Sequence, residues 1–338
     1  MRYLKRYGIA IIGVVISLLA IVSIFSQIDF TALVEAFRAA RYIYVLPSLI
    51  LILCGLWARG VRWRVLLNDE ISTVRAFNIM NIGYMVNGVL PLRLGEVGRA
   101  YLASRAAPTV PMMRAISTIV VERLLDLFSV LVIMGVAIAS APVSDDLRRV
   151  AAAATPTVII GFLVLIGMSA KRALTMRIVH SLVDRIGLLS RLRLAEFAEH
   201  FLDGLTPLTQ PRMLVRTLLW TLIAWFFSII SGYALMPAFF NAPDWAGVFL
   251  FTAAASFANA IPAAPGSLGT YEYSILISFQ SLGYTDAAMI TGFAVMIHAL
   301  NLGSNALLGI YGFIQEGVTL NQLSERVRGL QQPSVPPG

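Results

Sequence analysis

Two stretches of the chain share one pattern of proline and glycine: PLRLGEVGR at residues 91–99 and PAAPGSLGT at residues 262–270. Both read P-x-x-x-G-x-x-G, and an asparagine precedes each of them, Asn87 and Asn259. Such a stretch breaks an α-helix, because proline lacks the amide hydrogen and glycine is a poor helix former. The residues that we expect to form the two breaks are Pro91, Gly95, Gly98, Pro262, Pro265, Gly266 and Gly269.

The sequence around the breaks has the composition of a membrane protein. Of the 338 residues, 58% are hydrophobic and 13% are charged, and the mean hydropathy is +0.79. Soluble domains carry about 25% charged residues, and several apolar runs here reach the ~20 residues that span a bilayer. At membrane depth, broken backbone survives only where protein or a water-filled cavity surrounds it. Paired breaks in two halves are typical of the binding site of a transporter.

We predict an all-α polytopic membrane protein with about six transmembrane helices and two broken re-entrant segments. The six spans are expected at residues 8–26, 42–57, 115–140, 152–169, 213–236 and 287–313. The re-entrant segments are expected at residues 76–94 and 248–282. Residues 1–315 form one membrane domain with inverted repeats at about 42–140 and 213–313, followed by a cytoplasmic tail at 316–338.

Two further segments have the pattern of helices that lie at the membrane surface. In residues 29–41, apolar side chains recur on one helical face behind Asp29, a residue type that favours a helix N-cap. Residues 171–212 are polar and basic, with apolar positions at helical spacing. We expect amphipathic interfacial helices in both segments, the second on the cytoplasmic side.

The distribution of lysine and arginine predicts the orientation of the chain. If the N-terminus is cytoplasmic, 21 of the 26 basic residues fall in cytoplasmic stretches and four fall outside. This bias predicts an N-in, C-in protein of the bacterial inner membrane, with the two breaks entering from opposite sides. The net charge of +8 then reflects basic cytoplasmic loops, and we predict no nucleic-acid partner.

The first break carries the charges Arg93, Glu96 and Arg99. Guanidinium groups bind phosphate bidentately, and the amide groups at a helix N-terminus add donors. These residues are therefore candidates for binding a lipid phosphate, with Glu96 orienting an arginine or meeting a cationic headgroup. The alternative is that the arginines mark the cytoplasmic lip and extend towards water there.

Three more ionisable residues, Glu122, Arg123 and Asp126, lie one turn into the third expected span. Glu122 and Asp126 are four residues apart and share a helical face. Charges near a bilayer must pair or line water. Either they face the arginines of the first break and close a polar pocket, or they form a structural network without substrate contact.

The second break has a single acid, Glu272. A carboxylate at this depth indicates either a place in a transport pathway or a cap or pair across the repeat interface. In the last span His298, Asn301 and Asn305 form one stripe, which we expect to face the bundle interior and to bond between helices.

The chain has no motif that points to a nucleotide, a metal or a catalytic serine. It has no G-x-x-x-x-G-K-[ST], no H-E-x-x-H and no G-x-S-x-G, and Cys54 is its one cysteine. We therefore predict no cofactor, no metal site and no catalytic residue.

Several of these motifs together resemble the flippase-like membrane domain of lysylphosphatidylglycerol synthases. The stretches that carry the resemblance are Arg62-Trp63-Arg64, LPLRLGEVGR at 90–99, VVERLLDL at 120–127 and NAIPAAPGSLGTYE at 259–272. The resemblance covers about residues 8–315 and implies broken membrane helices and, in two-domain relatives, movement of aminoacylated phospholipid between leaflets. Those relatives carry an additional soluble aminoacyl-transferase domain, and other family members are associated with hopanoid or glycolipid pathways.

The predicted function is a phospholipid translocase, whose lipid is aminoacylated or otherwise modified, and which is not itself an enzyme. Its pathway residues would be Asn87, Arg93, Glu96, Arg99, Glu122, Arg123, Asp126, Asn259 and Glu272. Two alternatives remain: a membrane subunit of a lipid-modifying, glycosyl-transferase or hopanoid-lipid pathway, and a non-catalytic partner that recruits a soluble lipid-modifying enzyme.

Overall fold

The structure, a computed structural model, describes residues 15–27, 29–90, 93–107, 110–140, 145–185, 194–260, 264–318, 320 and 322–323. Within these residues the chain is helical, with short 3-10 turns and no strand, so the predicted all-α fold is confirmed. The helices of this part of the chain are α1 Val15–Phe25, α2 Phe30–Ala39, α3 Val45–Leu66, α4 Thr73–Val89, α5 Leu94–Ala106, α6 Met112–Ser140, α7 Asp145–Ala170, α8 Arg172–Arg185, α9 Leu194–Gly204, α10 Pro211–Leu235, α11 Trp245–Ala260, α12 Thr270–Ser281 and α13 Ala287–Glu316.

Each predicted break separates two helices. Between α4 and α5 the backbone of Arg93 is left-handed, with φ 52°. Between α11 and α12, Gly266 and Gly269 have φ 67° and 83°, which residues with a Cβ atom rarely adopt. Pro91 and Pro262 lie outside the described residues. The described residues of both breaks therefore place the chain reversals where the glycine motifs predict them.

Helix α1 packs against the second break. The amide of Ala264 donates a hydrogen bond of 2.9 Å to Oγ of Ser17. A Cβ atom added at Gly269 would lie 2.7 Å from the carbonyl oxygen of Ser17, so only glycine permits this approach. The second break is thus held by a helix from the start of the chain, outside the expected second repeat.

Helices α3–α6 and α10–α13, the first and second halves, pack in corresponding ways. The first helices of the two halves, α3 and α10, pack along each other. The second helix of each half contacts the last helix of the other, α4 against α13 and α11 against α6. Within each half, the helices on either side of the break contact each other. An inverted repeat requires corresponding contacts of this kind between the two halves. The division of the chain into inverted repeats stays a prediction.

Each half has its own apolar core. In the first half, buried residues of α3 to α6 such as Trp63, Ile79 and Val121 pack together. In the second half, Phe279 lies at the centre, with ring centroids 5.0 Å from Phe240 and 5.8 Å from Phe293. A third cluster joins the two halves, because Val130 and Met134 of α6 pack with Leu250 of α11.

Three described helices are each long and apolar enough to cross a membrane: residues Tyr42–Leu66, Pro211–Ala238 and Ala287–Glu316. The count rises to five if each of two bent helix pairs is one span. The first expected span begins outside the described residues. Helix α6 carries four ionisable residues in its first half. Large apolar side chains are exposed on the outside of these helices, such as Leu222 at 68% and Leu307 at 71%. Long apolar helices with an apolar surface indicate an integral membrane protein.

The expected surface helices are present as α2, α8 and α9. Asp29 is the N-cap of α2 and accepts a hydrogen bond of 2.9 Å from the amide of Thr31, as predicted. The segment expected to be a tail is described only in part. Leu323 is 3% exposed and packs against Gly98, so this residue of the expected tail is part of the first apolar core.

Candidate functional site: a polar cavity between two broken helices

A cavity of about 700 Å³ lies between the two halves, and both breaks line it. The first break contributes Leu90 and Arg93, and the second contributes residues 264–267. The tips of the breaks approach each other, because a Cβ atom at Gly266 would lie 3.5 Å from the carbonyl oxygen of Gly88. The described residues next to both breaks thus lie against protein and a polar space, which is the surrounding that broken backbone needs at membrane depth.

The two sides of the cavity differ in charge. The first half supplies what we call the charged wall: Arg59, Arg93, Glu96, Arg123 and Asp126. The second half supplies what we call the neutral wall: Trp225, Ser228, Thr252, Ser256, Asn301 and Asn305. Among the described residues of the second half, no acidic side chain lines the cavity.

A buried ion-pair network stands directly behind the charged wall, centred on Glu122. The Glu122 carboxylate is fully buried and accepts two hydrogen bonds from Arg99, of 3.1 and 3.0 Å. It also accepts one of 3.0 Å from Arg123, and Nη2 of Arg62 lies 3.7 Å away. Glu122 is therefore surrounded by three arginines and, being fully buried, does not contact a molecule in the cavity.

The network continues to the cavity surface through Asp126 and Glu96. Asp126 accepts two hydrogen bonds from the buried Arg62, of 2.7 and 3.2 Å. Glu96 lies 3.3 Å from Nε of Arg123 and 4.0 Å from Arg93. Both carboxylates of the charged wall are therefore already paired with arginine.

Arg99 differs from its expected role. We predicted that it binds phosphate together with Arg93, but its side chain is 1% exposed and does not line the cavity. Its guanidinium group lies 4.2 Å from the ring centroid of Trp63, and both of its terminal nitrogens donate to Glu122. Helix α5 turns Arg93 towards the cavity and Arg99, six residues later, towards α6.

The expected pairing across the first break is present for Glu122 but not for Asp126. Glu122 meets Arg99 of α5, as the pocket hypothesis requires, and Asp126 instead meets Arg62 of α3.

The two asparagines that precede the breaks contribute in different ways. Oδ1 of Asn87 accepts a hydrogen bond of 2.8 Å from the amide of Gly95, which caps the start of α5. The backbone oxygen of Asn259 accepts a hydrogen bond from Arg93, which joins the first break to the second.

Glu272 is buried rather than exposed to the cavity. One carboxylate oxygen accepts a hydrogen bond of 2.8 Å from the amide of Gly269 at the start of α12. The other lies 2.5 Å from Nδ1 of His298, whose ring stacks on Tyr271 with centroids 4.1 Å apart. His298 and Tyr271 line the cavity, so the carboxylate contacts the site through its histidine partner.

The stripe of α13 faces the interior as predicted, since His298, Asn301 and Asn305 all line the cavity. Its hydrogen bonds agree only in part with the expected bonding between helices. His298 contacts α12, whereas Nδ2 of Asn301 donates to the carbonyl oxygen of Ile297 in its own helix. Oδ1 of Asn305 is buried without a partner, so it remains available to a ligand.

The sequence analysis did not identify Arg59 and Trp225 as site residues. Arg59 donates a hydrogen bond of 2.9 Å to Oγ of Ser228, and its guanidinium carbon lies 5.9 Å from the ring centroid of Trp225. The signal available in the sequence is that Arg59 and Arg62, three residues apart, interrupt an apolar helix. That signal does not tell which arginine faces the cavity and which pairs with an acid.

The arrangement offers polar binding rather than an evident catalytic set. In the part of the chain that the structure describes, no group of three or more histidine, cysteine, aspartate or glutamate residues is placed to hold a metal ion. The cavity offers guanidinium, hydroxyl, amide and indole groups together with apolar residues such as Ile52 and Leu56. Such a lining suits a molecule with one polar and one apolar part.

Comparisons with known proteins agree with this architecture. The family model described as the lysylphosphatidylglycerol synthase TM region matches residues 10–309. The chain is also similar to the glycosyltransferase AglD of Haloferax volcanii, with 23% identity over 356 residues. That alignment covers 96% of this chain and 57% of the relative, so the chain spans little more than half the length of the relative that it matches. No solved structure matches the chain.

Proposed function

The chain belongs to the family of the lysylphosphatidylglycerol synthase transmembrane region, and from this premise we propose that it moves a phospholipid headgroup between the leaflets of a membrane. The family and the AglD relative support a membrane protein that acts in lipid or glycosyl pathways. The translocase activity is the more specific proposal. The observation that carries it is the cavity of about 700 Å³ lined by both helix breaks.

The chemistry of the cavity suits a headgroup whose acyl chains stay outside. Moving acyl chains through a polar site forfeits about 0.8 kcal/mol for each CH₂ group. A headgroup with phosphate gains charged hydrogen bonds from arginine, and Arg93 is the arginine of the first break that lines the cavity. Arg99 and Glu122 hold α5 against α6 in this scheme and do not contact the lipid.

Contacts between the two breaks suggest how the pathway closes. Arg93 of the first break binds the carbonyl oxygen of Asn259 at the second break. A phosphate that competes for this guanidinium group would release the bond between the halves, because a charged acceptor binds arginine more strongly than a carbonyl group does. Substrate binding and opening would then be one event, with the Glu272–His298 pair keeping α12 on α13.

For the topology we propose an N-in, C-in protein of the bacterial inner membrane, with breaks that enter from opposite sides. The exchange of packing partners between α3–α6 and α10–α13 supports an inverted repeat. In alternating access, one half of a transporter rocks against the other and opens the site to each side of the membrane in turn. This mechanism needs an inverted repeat and a site at the interface between the halves.

A second candidate function is favoured by one comparison. The relative that aligns with 96% of this chain is named a glycosyltransferase, and 43% of that relative lies outside the alignment. The chain would then be a membrane subunit of a lipid glycosylation or other lipid-modifying pathway, working with a soluble enzyme. This candidate predicts product formation that depends on a donor and on a partner protein, whereas a translocase needs neither.

Liposomes that contain the purified protein and a headgroup-labelled phospholipid distinguish the two candidate functions. A translocase brings the label of the inner leaflet to the outer leaflet, where a membrane-impermeant quencher reaches it, and it does so without a glycosyl or other group donor. Arg93→Gln should slow this exchange about tenfold to a hundredfold, since a charged hydrogen bond contributes about 1.5–3 kcal/mol. Arg105→Gln is the matched control, because Arg105 lies on the same helix but is exposed and does not line the cavity. Exchange no faster than in protein-free liposomes would reject the proposal.

A further inference from the structure

His298 is the residue of the cavity lining whose chemistry suits a change of charge near neutral pH. Imidazole is the side chain that ordinarily gains or loses a proton between about pH 5 and pH 8. Arginine stays charged in proteins, and the two carboxylates of the lining, Glu96 and Asp126, are paired with arginine. Among the described residues of the lining, a charge that changes near neutral pH therefore belongs to His298 and its partner.

The two ring nitrogens of His298 have different surroundings. Nδ1 lies 2.5 Å from Oε1 of the buried Glu272. Nε2 makes no hydrogen bond to any residue that the structure describes, and the histidine lines the cavity. An ionised carboxylate only accepts hydrogen bonds, so a neutral ring beside it carries its hydrogen on Nδ1. The lone pair of Nε2 is then free to accept a proton from water in the cavity.

A proton that binds to Nε2 strengthens the contact between the two side chains. One N–H bond forms with a proton that a hydronium ion of the cavity gives up, and no electron is transferred. The ring becomes an imidazolium ion, and the pair changes from one negative charge to none. Nδ1 then donates a hydrogen bond between two charged groups, which is stronger than the bond from a neutral ring. The bound proton therefore strengthens the contact between α12 and α13.

Glu272 connects this ring to the backbone of the second break. Its other carboxylate oxygen accepts a hydrogen bond of 2.8 Å from the amide of Gly269, which has φ 83° and precedes α12. A movement of the second break that carries α12 away from α13 must therefore separate Glu272 from His298. Proton binding and the position of the second break are then linked, and each affects the other by the same free energy.

No other charged group among the described residues contacts this pair. Helices α2, α3, α4, α10 and α12 pack against α13. In α12 the ring of Tyr271 stacks on His298, and Tyr84 of α4 lines the same cavity. The charged residues of the other helices have different surroundings: Arg59 contacts Ser228, Arg62 contacts Asp126, Arg64 and Arg216 contact Asp69, Arg75 contacts Glu316 at the end of α13, and Glu35, Arg38 and Arg212 are exposed.

We propose that Glu272 and His298 form a proton-binding site of the cavity, and that a proton bound there holds the second break in place on α13. The ligand of this site is the hydrogen ion, in addition to the lipid. The link to leaflet exchange rests on the proposed function, whereas proton binding does not. Exchange would release the proton when the second break leaves α13, so it would slow as the pH falls.

Nitrogen NMR of isotope-labelled histidine tests the proton-binding site without any transport step. His180→Gln and His200→Gln together leave His298 as the one histidine of the full chain, and both replaced residues lie on the surface helices α8 and α9. We expect one hydrogen, on Nδ1, at about pH 9 and a second hydrogen, on Nε2, at about pH 5. A ring that keeps one protonation state over this range, or a neutral ring with its hydrogen on Nε2, would overturn the inference.

The melting temperature of the purified chain tests the link to the second break. A proton that strengthens the contact stabilises the folded chain at low pH, and this stabilisation is lost as the pH rises and the ring loses the proton. His298→Gln keeps a hydrogen-bond donor for Glu272 but binds no proton. Relative to this variant, the parent should melt at a lower temperature at about pH 9 than at about pH 5. A difference between the two chains that does not change with pH would refute the link.

Leaflet exchange of labelled phosphatidylglycerol in liposomes should have the opposite pH dependence. The parent should exchange about tenfold faster at about pH 9 than at about pH 5, because the second break then moves without breaking a charged hydrogen bond. His298→Gln should exchange at a rate independent of pH, and His200→Gln is the control that should keep the dependence of the parent. Exchange by the parent that does not depend on pH, or the same dependence in His298→Gln, would reject the inference.

These outcomes distinguish the inference from the proposed function. Titration of His298 and a pH-dependent melting difference without leaflet exchange at any pH would support the proton-binding site and reject the translocase. Leaflet exchange that is independent of pH would retain the translocase and reject the inference. If His298→Gln does not fold, the titration of the ring and the pH profile of exchange by the parent still decide the matter.

Discussion

Replacing Arg99 by glutamine should lower the free energy of unfolding and should have no direct effect on substrate binding. The Arg99 side chain is 1% exposed and makes a two-bond pair with a fully buried Glu122. Removing one partner of a buried ion pair costs about 3–5 kcal/mol, because the other charge stays buried. The lost contact with the Trp63 ring adds up to about 2 kcal/mol. We therefore expect the free energy of unfolding to fall by at least about 3 kcal/mol.

Arg93→Gln is the variant to compare with Arg99→Gln, because it removes the other arginine of the first break. Its side chain is 42% exposed and its nearest carboxylate oxygen, in Glu96, is 4.0 Å away. An exposed ion pair contributes at most about 1 kcal/mol, so this variant should remain folded and lose function instead. Equilibrium unfolding of both variants in mixed micelles measures the difference directly.

A double-variant cycle makes the test sharper. Glu122→Gln should also destabilise the protein, and the two substitutions together should cost less than the sum of the single costs, by about 0.5–3 kcal/mol. The reasoning is refuted if Arg99→Gln and Arg93→Gln have the same free energy of unfolding. It is refuted also if Arg99→Gln remains as stable as the parent and loses only lipid binding, since Arg99 would then be the phosphate ligand that the sequence suggested.

Three further predictions concern the second break, the helix crossing and the topology. Glu272→Gln keeps the shape of the side chain and removes its charge beside His298, in the buried pair that holds α12 on α13, so the melting temperature should fall together with leaflet exchange; lost exchange at an unchanged melting temperature would instead make Glu272 a residue of the pathway. Gly309→Ala should cost about 1–3 kcal/mol of stability because its Cβ atom would lie 2.4 Å from that of Met85. Gly303→Ala, on the same helix with nothing within 4 Å, should not destabilise, and equal losses would refute the close packing. On a Cys54→Ala background, Ser334→Cys should resist labelling from outside intact cells, and labelling there would exclude a cytoplasmic C-terminus.

The helix breaks were predictable because their causes are local. Proline and glycine interrupt a helix whatever surrounds them, so the two motifs mark the breaks without knowledge of the packing. The N-cap Asp29 and the inward stripe of α13 were predictable for the same reason, since capping chemistry and helical period are properties of short segments.

The partners of the charges were not predictable, because they depend on which helix lies opposite. Arg93 and Arg99 look equivalent in the sequence, yet one lines the cavity and the other is buried against α6. Asp126 likewise meets Arg62 from a helix that lies 64 residues earlier. Only the packing of α3 and α5 on α6 decides these pairs, and a single sequence does not contain that packing explicitly.

Leaflet exchange by the purified chain is the most direct test of the central claim. Liposomes with phosphatidylglycerol labelled in its headgroup, an impermeant quencher and no nucleotide or sugar donor contain everything that a translocase requires. The cavity between the two breaks predicts rapid loss of the inner-leaflet signal with the parent chain and with Arg105→Gln, and slow loss with Arg93→Gln. An inner-leaflet signal that persists with the folded parent chain as long as in protein-free liposomes would contradict the claim.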